Sequence, residues 1–214
     1  MNPTLARLAN ALSNSQLLSQ WENGFVESLQ EQFNKHGKLS SRQLEILERI
    51  EKQKLSEEAR GARSLWKSNY DAEKRRVARI CAEYYKSAGY FTVLADSILE
   101  NPDYIPSEKA WKKMCENKYA QKVVASYDAA PKYEVGSLVA FRATADWAHR
   151  VGAGDKPCVV ISAGGPIKNA AKGAKPYMVL PYAAIKPVEC EERHIKKYKK
   201  SKKNKKVVDK SIPF

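Results

Sequence analysis

Residue types able to do chemistry are few in this chain, and their spacing does not suit it. The three histidines, His36, His149 and His194, fall on different expected elements, so none forms the close helical pair that a metal site uses. Four cysteines, Cys81, Cys115, Cys158 and Cys190, lie 34, 43 and 32 residues apart. That excludes a CxxC pair or metal knuckle, and reduced, buried thiols are expected. The stretch AGGPIKNAAKGAK lacks the GKS/T ending that holds a nucleotide phosphate and its magnesium. It reads as a flexible loop, with phosphate contact through Lys168, Lys172 and Lys175 as the alternative. Glu191 and Glu192 are adjacent on extended chain and so point to opposite faces, which disfavours paired acid–base work. No catalytic residue, cofactor or metal is expected.

The cations are more informative. Net charge is +14 over 214 residues. Residues 191–214 hold ten Lys/Arg against three acids, so half of the excess sits in the last 24 positions. Arg193, Lys196, Lys197, Lys199, Lys200, Lys202, Lys203, Lys205, Lys206 and Lys210 are too dense to pack and too repulsive to fold alone. A disordered tail is expected there, gripping a polyanion by releasing its counterions, with Tyr198 as the one ring able to stack on a base; a nuclear import signal, a membrane-surface patch, or a grip on an acidic protein or on RNA in an assembly are the alternatives. A second cationic strip, Lys74, Arg75, Arg76 and Arg79, lies between Tyr70 and the pair Tyr84/Tyr85. It could hold phosphates beside aromatic surface, or be a solvated helix face with Asp71, Glu73 and Glu83 interleaved.

The elements that must position these groups change character along the chain. Residues 14–36 place Leu17, Leu18, Trp21, Phe25, Val26, Leu29 and Phe33 at helical spacing, and Gly37 stops that helix. Ser40 with Gln43 makes a capping box for the next helix. A third helix is expected over residues 56–88, closed by Gly89, then a short one to Glu100 and another after Ser107. From Asp128 the apolar runs shorten between Gly and Pro. YEVGSLVAFR, KPCVVISA, KPYMVLP and AAIKPVE are four expected strands, with a fifth near Asp146 to His149. The start lacks the apolar core of a signal peptide, although its first 21 residues are free of acids in the manner of a transit peptide. No run of about 18 apolar residues occurs. A cytoplasmic protein is expected, with no membrane partner.

Three resemblances attach to these residues. The order VGSLVAFR, PCVVIS, YMVLP and IKPVECEERHIK resembles the small SH3-like barrels of phage and other nucleic-acid-associated proteins. WENGFVESL followed by LSSRQLEILERI is similar to short helical modules of phage DNA-metabolism proteins. The terminal Ile212-Pro213-Phe214 resembles the tail tip of bacterial single-stranded-DNA-binding proteins, which implies docking on a replication or transcription protein of host or phage. Acids precede the tip in that family; here only Asp209 remains, and Lys210 and the lysines from Lys202 to Lys206 reverse the field.

The expected architecture is α+β. An all-helical bundle covers 1–128, a small SH3-like β-barrel 129–195 and a disordered basic tail 196–214. The expected function is non-enzymatic, largely sequence-blind binding of DNA or RNA by an accessory protein of phage-like metabolism. The alternative is a structural or protein-interaction component of a virion or polymerase assembly.

Overall fold

The computed structural model describes residues 2–154 and 156–199. It is mixed α+β and divides into two compact units, one ending at Tyr70 and one starting at Asp71. The division therefore falls inside the expected helical region, and the helices after Asp71 share a unit with the sheet.

In the first unit, Asn2 caps α1 (Pro3–Ser13), whose Pro3 supplies a preset φ where no N–H is needed. The helix expected over residues 14–36 is interrupted. Ser15–Leu17 form a 3-10 turn, and α2 (Gln20–His36) starts afresh because Ser19 and Glu22 close a capping box on each other's backbone. Gly37 ends α2 at φ 69°, a left-handed conformation that a Cβ would oppose. The Ser40/Gln43 box opens α3 (Ser41–Ile50) as expected, a wide turn follows over Glu51–Leu55, and Ser56 caps α4 (Glu57–Asn69). Leu8, Val26, Leu29, Phe33, Leu47 and Ile50 form the core. Trp21 does not join it, being 61% exposed and stacked on Phe25. Arg7 reaches Glu51 at 2.6 Å and ties α1 to the wide turn.

The helix expected over residues 56–88 is also two. At Asp71 the carboxylate takes the Lys74 N–H (2.8 Å) and nucleates α5 (Ala72–Ala88), so a local cap wins over the continuing apolar period. Gly89 ends α5 at φ 74°. α6 (Thr92–Glu100) packs back on α5, where small side chains, Ala78, Cys81, Ala82 and Ala95, let the backbones approach. The next expected helix divides at Asn117 into α7 (Glu108–Cys115) and α8 (Lys118–Asp128). Asn117 Oδ1 accepts the Tyr119 and Ala120 N–H groups while its Nδ2 donates to the Tyr85 hydroxyl (2.8 Å).

The sheet contains β1 (Leu138–Phe141), β2 (Cys158–Ala163), β3 (Pro176–Pro181), β4 (Val188–Glu191) and β5 (Ile195–Lys197), all antiparallel, in the order β4-β3-β2-β1-β5. Two expectations are corrected. The fifth strand is not near Asp146, where Trp147–Arg150 form the helical turn α9. It is β5, so Lys196 and Lys197 belong to the folded unit. The ladder is open, with β4 and β5 as its edges, yet only a 3-10 turn, Glu192–His194, joins those edges. Laid flat, five strands would hold them about 19 Å apart. The chain step from Glu191 to Ile195 spans about 14 Å at most. The sheet is therefore strongly curled, around a core that includes Val139, Phe141, Val160, Tyr177, Val179 and Ile195. The loop from Gly164 to Lys175 is not a free phosphate loop. Its Ile167 and Ala174 pack with Ile80 of α5 and Val123 of α8 and join helices to sheet.

All four cysteines are buried and free. Burial pushes the Cys158 thiol up to about 11 and Cys190 up to about 12, and Cys115 is raised by its hydrogen bond to Cys81 and by burial. A thiol-reactive dye at pH 8 should therefore label none of them within minutes in the native protein and all four in denaturant. Rapid labelling of any native thiol would contradict this packing.

Candidate nucleic-acid interface

The strip on α5 is largely neutralised from within. Arg76 bridges two carboxylates, Glu73 at 2.8 Å and Asp128 at 2.7 Å, which raise its pKa and lower both of theirs. Lys74 lies 3.1 Å from Asp71, and the Arg75 guanidinium donates to the Pro102 carbonyl. Arg79 is exposed. The flanking rings are not a stacking surface. Tyr70 belongs to the first unit and is buried, Tyr85 is buried against Phe91, and Tyr84 is half-buried. What looked like a cationic grip is mostly engaged at the start of α5 itself, with Arg76–Asp128 the ion pair that reaches another helix and Arg75 bound to the Pro102 carbonyl.

The tail lysines divide at the last described residue. Lys196, Lys197 and Lys199 are exposed, and none has a carboxylate partner among the described residues. The β5 ladder with β1 holds the first two in place: Ile195 faces Phe141, Lys196 faces Ala140 and Lys197 faces Val139. The Tyr198 N–H donates to the Leu138 carbonyl (3.1 Å), extending the pairing by one residue. Lys200, Lys202, Lys203, Lys205 and Lys206, together with Ile212, Pro213 and Phe214, lie outside the described residues.

That pairing assembles a surface that sequence reasoning missed. Tyr198 sits beside Leu138, Leu138 opposite Val159, and Val159 opposite Leu180. The row faces away from the core: Leu138 is 51% and Val159 41% exposed, while their neighbours Val139 and Val160 are buried. Lys196 borders it, and Tyr182, 73% exposed, is fixed next to Pro157 by its own N–H (2.8 Å).

A cavity of about 270 Å³ opens at the β4 corner between Trp147, Lys168, Glu189, Glu191 and His194. Its polar groups are engaged with each other. Glu189 pairs with Lys168 at 2.6 Å, and Glu191 meets Asn169 and Arg193. His194 Nδ1 accepts the Glu191 N–H (3.1 Å), and burial lowers the pKa of that imidazole. Glu192 turns the other way, accepting from the Lys132 N–H and the Tyr177 hydroxyl. Both acids serve as scaffolding for the corner.

Lys168 is thus paired, Lys172 is exposed, and Lys175 is buried with its ammonium on the Tyr127 carbonyl (2.9 Å). Among the described residues no helix is long and apolar enough to cross a membrane. No family model, curated protein or solved structure matches the chain.

Proposed function

We propose that this chain is a non-enzymatic nucleic-acid-binding accessory protein whose grip is largely blind to sequence, of the phage-like kind that the resemblances imply. One observation carries the reading. The cationic C-terminal run begins on an edge strand of a folded sheet, where Lys196 and Lys197, with Lys199 just beyond, are exposed and have no carboxylate partner among the described residues. Lysines fixed there do not collapse onto the protein's own acids, so their counterions are available for release by a polyphosphate. The remaining lysines continue the run directly, from Lys200 to Lys210. The strand order, with β1 between β2 and β5 and a 3-10 turn joining β4 to β5, supports reading the curled sheet as an SH3-like barrel.

The test compares the full chain with one ending at Lys199, using a labelled oligonucleotide between about 50 and 200 mM salt. Nine lysines from Lys196 onward should give the full chain a slope of about −6 or steeper in log affinity against log salt, and about a thousandfold loss across that range. The shortened chain keeps three of them and should show a slope of about −3. Affinity indifferent to salt, or equal in the two chains, would overturn the proposal.

A further inference from the structure

The outer face of the sheet breaks the usual rule for antiparallel sheets, which alternate apolar-in with polar-out when one side is solvated. Here β1, β2 and β3 are apolar on both sides. Val139, Val160 and Val179 fill the core while Leu138, Val159 and Leu180 point outward. Exposed apolar surface of this kind is costly unless something uses it. Two further features narrow what that is. A tyrosine closes one end of the row and a second, Tyr182, stands beside it. The neighbouring edge carries Lys196, on the outer face with Tyr198, and then Lys197 and Lys199, and the acid that β4 places on that face, Glu189 opposite Met178, is already paired with Lys168.

We infer that this face seats single-stranded nucleic acid, with bases laid on the Tyr198–Leu138–Val159–Leu180 row and on Tyr182, and phosphates along the lysine edge. The inference rests on the nucleic-acid reading above and narrows it to one strand class. A duplex hides its base faces and offers phosphates and groove edges, so an apolar row gains nothing from it. An unpaired strand exposes those faces, and stacking on aromatic and apolar side chains tolerates any sequence. From Tyr198 to Leu180 the row crosses three strand intervals, about 14 Å, which is the length of about four stacked nucleotides. A protein partner would satisfy the apolar row too, but exposed lysines with no carboxylate partner among the described residues, and a nearby acid already neutralised by Lys168, favour a polyanion.

The experiment titrates the full chain with a labelled oligothymidine of about 15 nucleotides and with a duplex of the same length. The variants Tyr198→Ala, Tyr182→Ala and Tyr198→Phe are titrated alongside. The single strand should bind more tightly than the duplex. Each alanine variant should lose about tenfold in single-strand affinity, with duplex affinity and salt slope unchanged, and Tyr198→Phe should retain the wild-type value. Thermal midpoints are measured for all variants, and Tyr182, standing outside the core, guards against loss of fold at Tyr198. Equal binding of both polymers, with the tyrosine variants unchanged, would overturn this inference alone and assign the row to a protein partner. No binding of either polymer would overturn it together with the function proposed above.

Discussion

A chain ending at residue 192 will lose the fold of its second unit, whereas one ending at Lys199 keeps all five strands and will melt cooperatively. The tail cannot be cut where its charge begins, because its first residues are structural. Ile195 is fully buried in the sheet core. Its carbonyl accepts from Arg142 Nε (2.9 Å), and the His194 carbonyl accepts from the Arg142 N–H (2.8 Å). Deleting a buried isoleucine costs about 2–5 kcal/mol, and each lost backbone hydrogen bond at the β1 edge adds about 1 kcal/mol. Against a domain stability of about 5–15 kcal/mol, the loss is comparable to the whole. Circular dichroism melts and limited proteolysis of the two truncations check this. A cooperative transition at the full-chain midpoint in the shorter protein would show that β5 is dispensable.

This prediction turns on a feature the sequence hides. Ile195-Lys196-Lys197 reads as the start of a polar tail, because one apolar residue in three carries no alternation, and its strand state comes from pairing with β1 some fifty positions earlier. Several features with a local cause are legible. The Ser40/Gln43 box, the helix ends at Gly37 and Gly89, the Ser107 cap and the strand KPYMVLP all appear where expected. The missed break at Asp71 is also local, since an N-capping Asp with Glu73 in the following turn is a start signal. It was masked by an apolar period that runs on through it.

The candidate site divides the same way. Exposed lysines at Lys196, Lys197 and Lys199 follow from charge density. By contrast, the neutralisation of Arg76 depends on Asp128, 52 positions away. The outer apolar row was invisible for a different reason. Leu138, Val159 and Leu180 sit inside strands whose continuous hydrophobicity reads as double-sided burial, and only the register shows that one side is open.

Substituting Lys175 by glutamate should prevent the second unit from folding, and Lys175→Ala should destabilise it by about 2–3 kcal/mol. Lys175 is only 7% exposed, and its ammonium donates to the Tyr127 carbonyl at 2.9 Å. Tyr127 lies in the last turn of α8, where carbonyls lack intrahelical donors and the helix dipole is negative. A cation reaching in from the loop therefore satisfies an orphan acceptor and complements that field, adding to the effect of Arg76 in holding the Asp128 carboxyl below its usual range. Beside it Ala174 and Ile167 seat the loop against Ile80 and Val123, so the same contact anchors the joint between helices and sheet. Alanine leaves the carbonyl unsatisfied. Glutamate adds a buried negative charge next to Asp128 and the helix end, at about 5 kcal/mol or more. Denaturant titration reads the stability change, and oligonucleotide binding by the folded Lys175→Ala protein separates this role from phosphate contact. An unchanged salt slope supports the capping role, and a slope shallower by about 1 would return Lys175 to the nucleic-acid surface.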